Sequence, residues 1–152
     1  MVKYSVDLET GPLVKKLKRL GRDMPEINRG ILGDLADAVV TRADSKYLSG
    51  GRPNLRRPTG HLAQSLTYRV GKDFAEVGTN LVYAAIHEFG GTIKPKNGQY
   101  LKFEINGKTI FAKQVTIPAR PYLKPALNDI FASGKAQLIA DRELQRQIDK
   151  RV

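Results

Sequence analysis

The chain has 152 residues, 41% hydrophobic and 27% charged, with 26 Lys and Arg against 15 Asp and Glu for a net charge of +11. That length predicts a single domain over residues 1–152 with one core. No segment approaches the run of about 18 apolar residues that a membrane helix needs, and the first residues, MVKYSVDLETG, lack the apolar stretch of a secretory signal. The expected site of synthesis and action is therefore the cytoplasm. With no cysteine, disulfides, thiolate zinc sites and a cysteine nucleophile are excluded, and two histidines leave any metal site to carboxylates.

In chain order, Val2, Tyr4, Val6 and Leu8 alternate with polar residues and predict an edge strand before Gly11 and Pro12. Leu13, Leu17, Leu20, Met24, Ile27, Ile31, Leu35 and Val39 then recur at steps of three or four, the pattern of an amphipathic helix. Pro25 interrupts the series. Proline suits a first helical turn, so the pattern predicts a short helix to about Arg22 and a longer one from about Pro25 to Leu48. Residues 49–60, SGGRPNLRRPTG, have no periodicity and predict a mobile basic loop.

Leu66, Tyr68 and Val70 alternate with Ser65, Thr67 and Arg69, and FAEVGT resumes after the turn at Gly71, Lys72 and Asp73, so a hairpin is expected. Asn80 is a candidate cap for a helix over LVYAAIHEF that Gly90 ends. Leu101, Phe103 and Ile105 lead into Asn106-Gly107, the strongest short-range hairpin signal, and the pattern continues to Val115, predicting an extended hairpin over 99–117. Beyond Pro118, Pro121 and Pro125, the residues Leu123, Leu127, Ile130, Phe131, Leu138 and Ile139 predict the buried stripe of one terminal helix. The fold class is α+β, an antiparallel sheet of hairpins packed against N- and C-terminal amphipathic helices.

His87 beside Glu88 raises the question of metal or acid/base chemistry. A zincin helix needs a second histidine four residues after the first, and Gly91 stands there. Tyr83, Ile86 and Phe89 or Gly90 share one helical face, which leaves His87 and Glu88 at a rim or an interface. No phosphate-binding glycine loop or serine nucleophile elbow occurs, and Asp34, Asp37 and Asp44 are spread along a helix rather than clustered. The expectation is a protein without catalytic residues, cofactor or metal.

The basic excess is local. Residues 49–70 carry four basic residues and no acidic one, and residues 91–117 carry five lysines and one glutamate. Arg52, Arg56, Arg57, Lys94, Lys96 and Lys102 are candidates for neutralising phosphates, which keeps a nucleic-acid backbone binder open as an alternative function. Basic loops that only maintain solubility are the competing explanation.

Three stretches, TGHLAQSLTYRV, AEVGTNLVYAAIHEFGGTI and VTIPARPYLKPAL, occur in that order. Together they resemble the phage virion-morphogenesis or tail-completion family of the Mu type, related to head-tail joining proteins, over about residues 59–128. The matching positions are Thr59, Gly60, Leu62 and Ser65; Gly78, Thr79, Tyr83, Ala84, His87, Phe89 and Gly90; and Pro118, Ala119, Arg120, Pro121 and Tyr122. The resemblance implies a non-enzymatic structural protein, assembling as a hexameric ring in the neck or at the head-proximal end of the tail. Its implied partners are copies of itself, tail-tube, tail-terminator or connector proteins, and double-stranded DNA in the lumen. Tyr83, His87, Glu88, Phe89, Arg120 and Tyr122 are the candidate subunit or partner interface, with Glu88 the expected ion-pair partner of Arg120.

Overall fold

The computed structural model describes residues 11–50 and 59–150, with side chains in the first helix at Arg19 and from Gly21 onward. The expected edge strand at residues 2–8 and Arg52, Arg56 and Arg57 of the basic loop lie outside the described residues. The class is α+β, as the alternation of helical and period-two patterns predicts.

One continuous helix, α1, spans Gly11–Arg42 and carries Pro25 inside it, so the predicted break does not occur. Proline removes one N–H and crowds the carbonyl four residues back, here Gly21. Both residues are exposed, so that carbonyl is left to water. Burial of Ile27, Ala36 and Val39 on either side of the proline offsets the cost. The helix widens into a π-helical segment, Ala43–Tyr47, before the chain turns at the buried Leu48.

Beyond the loop come α2 (His61–Gln64), then β1 (Thr67–Val70) and β2 (Ala75–Gly78), which form the first expected hairpin with Thr67 opposite Gly78. Helix α3 (Ala84–Phe89) starts later than predicted. The side chain that holds its approach is Thr79, which accepts from the Leu81 N–H at 3.2 Å, rather than Asn80. The region from β3 (Gly91–Ile93) to β6 (Val115–Ile117) departs from expectation. β4 (Leu101–Ile105) pairs with β5 (Lys108–Ala112) alone, while β6 leaves that hairpin and pairs antiparallel with β3. The hairpin predicted over 99–117 is thus a shorter hairpin framed by a second ladder. The strands form three separate two-stranded ladders instead of one sheet.

The expected terminal helix is two, α4 (Leu123–Ala132) and α5 (Lys135–Asp149), divided at Gly134, whose φ of 73° is in the left-handed region that favours glycine. The inward face of α4 is Tyr122, Ala126 and Ile130, at steps of four. Leu127, Phe131 and Leu138, expected in the buried stripe, are exposed. Tyr122, Ala126 and Ile130 share one core with Val39, Ala43 and Leu48, with Ala63 of α2 and with Leu66, which follows α2.

Two polar groups lie at the helix contacts: Glu143, whose polar partners are on α5 itself, and Asp129, which bonds across to the end of α1. Glu143 of α5 is fully buried, ion-paired with Arg146 and hydrogen-bonded by Gln147 at 2.7 Å. It reaches α1 at Gly30, where a Cβ would stand 2.7 Å from its Oε1. Asp129 of α4 accepts through Oδ2 from Arg42 and Lys46 at 2.8 Å and from the Tyr47 hydroxyl at 3.0 Å, tying α4 to the end of α1. Hydrogen bonds from Lys46 and then Arg42 hold the Asp129 carboxyl down at about 2, below its usual value.

A folded-state value below the unfolded one means that the contribution of Asp129 is fully present above about pH 4 and is lost as pH falls toward 2. In urea melts, Asp129→Asn should therefore be less stable than wild type at pH 7, with the difference shrinking through that window and absent below it.

Candidate assembly interface around Glu88

The three stretches that carry the family resemblance meet in space. Gly60 opens α2 with φ 73°. The Ser65 hydroxyl donates to the Leu62 carbonyl at 2.8 Å and lies 2.6 Å from the Thr79 hydroxyl, which links the first stretch to the second. Because the proton of Ser65 is already committed, Thr79 donates across that contact.

The second and third stretches join at α3. Its last residues are followed by Gly90 at φ 70°, where a Cβ would stand 2.7 Å from the Ala119 nitrogen and 3.1 Å from the Ile117 oxygen. Both the backbone conformation and the close approach exclude a side chain there. The chain leaving α3 consequently runs against the segment leading from β6 to α4, and the Arg120 N–H donates to the His87 carbonyl at 2.7 Å.

Glu88 completes the junction. Its Oε2 accepts from the N–H groups of Tyr122 at 2.8 Å and Leu123 at 3.0 Å, and its Oε1 from that of Lys124 at 3.0 Å. These are amides at the start of α4 that have no partner within the helix, and no side chain of the N-cap residue Tyr122 serves them. A carboxylate there also meets the positive end of the helix dipole. Glu88 is 8% exposed and Tyr122 1% exposed. Burial first, then the charges of Glu88 and Tyr83, push the Tyr122 hydroxyl up to about 12.

This geometry corrects the predicted site. Glu88 faces inward and holds backbone, with both oxygens engaged, and does not pair with the exposed Arg120. The inward face of α3 is Ala84 and Glu88, four residues apart, while Tyr83 and Phe89 are exposed and Ile86 is half-buried. Of the six proposed interface residues, Glu88 and Tyr122 belong to the interior, and His87 is half-buried with its ring edge-on to Tyr83 at 5.9 Å. Phe89 is 79% exposed, and Tyr83 and Arg120 are exposed as well. Lys94 and Lys96 are exposed in the connection from β3 to β4. Sequence reasoning missed Val82, 97% exposed, and the anchoring roles of Glu143 and Asp129. Among the described residues no group of three His, Cys, Asp or Glu is arranged to hold a metal ion, and no helix is long and apolar enough to cross a membrane.

The motif residues therefore fix backbone and leave the Tyr83 and Phe89 side chains outside. The profile of the phage virion morphogenesis family matches residues 41–142, and the chain belongs to that family. It is 33% identical over 105 residues to Mu-like prophage FluMu G protein 2 of Haemophilus influenzae, covering 62% of each chain. It is 34% identical over 85 residues to the putative capsid assembly protein G of Escherichia phage Mu, covering 56% of this chain and 43% of that one. The matched region thus spans less than two thirds of either relative. No solved structure matches the chain. The family places the chain among the virion-associated structural proteins of bacteriophages and prophages.

Glu88→Ala should cost about 3 kcal/mol in urea unfolding, because three amides lose a charged acceptor in a buried place. Glu88→Gln, which keeps one carbonyl oxygen, should lose clearly less than Glu88→Ala. Equal stability of Glu88→Ala and wild type would contradict the assigned role.

Proposed function

We propose that copies of this chain assemble into a closed ring, hexameric in the virion, that completes the tail or joins head to tail around the DNA channel. The observation that carries this reading is the set of large side chains held in the open beside the Glu88 junction, Val82, Tyr83 and Phe89, with Arg120 among them. Aromatic residues and arginine on a rigid support are the composition of interface hot spots. Ordering them costs little on binding, since α3 and the segment before α4 are already locked together. Exposed Leu127, Phe131 and Leu138 on α4 and α5 offer a second apolar surface. Two different surfaces on one subunit suit a head-to-tail contact, the kind that closes into a ring.

The partners proposed beyond the chain itself are tail-tube, tail-terminator or connector proteins. The family match and the relative described as a putative capsid assembly protein support a part in virion assembly, and the neck or the head-proximal tail end is the place proposed for it. Nothing in the geometry around His87 calls for a reaction: its carbonyl holds Arg120, and its ring packs on Tyr83.

The test is complementation of a phage lacking this product. Phe89→Asp should leave the thermal midpoint near that of wild type, because the side chain is exposed, yet give particles without attached tails and a collapsed titre. A hot-spot loss of about 2 kcal/mol recurs at every subunit of a ring. Normal titre with tails attached would overturn the reading.

A further inference from the structure

The β4–β5 hairpin stands away from the core. Nine of its twelve residues, Lys102 and Glu104–Phe111, are exposed, and no helix packs extensively against it. A lone two-stranded hairpin is marginal in water, so this one is poised to gain from a partner. Its charge says which kind. Residues 94–113 carry Lys94, Lys96, Lys102, Lys108 and Lys113, all exposed, against the single acidic residue Glu104. A polyanion is drawn to such an element.

The shape narrows the choice further. Lys102 stands directly across from Phe111, which is 63% exposed, so cation and aromatic share one face of the ribbon with Glu104, while Lys108, across from Ile105, lies on the other face. Five residue pairs extend about 17 Å, with backbones about 5 Å apart. The major groove of B-DNA, about 12 Å wide, admits a two-stranded ribbon of this kind. The faces carry no arginine and no amide side chain apart from Asn106 in the turn, so the contact is to phosphates and is not sequence-specific.

We propose that the β4–β5 hairpin is a contact for double-stranded DNA, its lysines on the phosphate backbone and Phe111 against the groove edge. The proposal deepens the ring reading, because a hairpin turned inward would meet the duplex in the channel. It is tested on the isolated chain, so that the two ideas fail separately.

The measurement is fluorescence anisotropy of a short labelled duplex of arbitrary sequence from about 50 to 200 mM salt. Wild type should bind at low salt and weaken by about 500-fold across that range if five phosphates are neutralised. Lys102→Gln combined with Lys108→Gln and Lys113→Gln should lower the slope of log affinity against log salt by about 2.7. Lys135→Gln on α5 should leave it unchanged. All four lysines are exposed, and an unaltered melting temperature confirms that the variants fold. Absence of salt-dependent binding by wild type, or an unchanged slope in the triple variant, overturns the proposal. So does a triple variant that loses self-association while keeping its DNA affinity, which would make the hairpin a protein contact. A triple variant that loses DNA binding but still completes rings separates the two functions and supports both.

Discussion

A carboxylate on α3 serving the first amides of α4 is the interaction on which the rest of the structure depends. Glu88 and the Tyr122–Lys124 amides are about 35 residues apart in the chain, and between them lie the β3–β6 ladder and the projecting β4–β5 hairpin. Bringing those ends together closes a long loop, whose entropic cost rises only slowly with length. Three charge-assisted hydrogen bonds inside a nearly dry junction are strong enough to offset it. Tyr122 follows from the same constraint. Once α4 begins at the Glu88 carboxylate, its first residue turns into the core and Ala126 and Ile130 follow on the same face.

The junction also explains why aromatic side chains stand in the open. With Ala84 and Glu88 turned inward, Tyr83 and Phe89 must face outward on so short a helix. The cost of exposing them is small beside the burial of Tyr122, and the result is an apolar surface on the most firmly tied part of the chain. The β4–β5 hairpin is the opposite case: largely exposed, with no helix packed extensively against it.

Much of the local structure was legible. Asn106-Gly107 fixes the β4–β5 turn because both residues take positive φ, 51° and 75°, and the first hairpin and the end of α3 follow equally local signals. The spacing of Ile27 and Val39 located the inward face of α1, although Pro25 argued for a break that exposed backbone makes unnecessary. What failed was non-local. Periodicity treats a glutamate as a solvent-facing residue, so Glu88 and Glu143 were assigned to rims or passed over, whereas backbone amides, Arg146 and Gln147 satisfy them in the interior. The pairing of β6 with β3 and the Arg42–Lys46–Asp129 cluster depend on partners tens of residues away. The family resemblance pointed to Glu88 and Tyr122 as surface, and the structure places both in the interior, at the start of α4.

Native-state hydrogen exchange at the amides of Tyr122, Leu123 and Lys124 tests the junction most directly. If Glu88 holds the start of α4, these three amides exchange only through global unfolding in wild type, and in Glu88→Ala they open locally while Ile130 stays protected. Rapid exchange of all three in wild type, at the rate of a frayed helix end, would contradict the account.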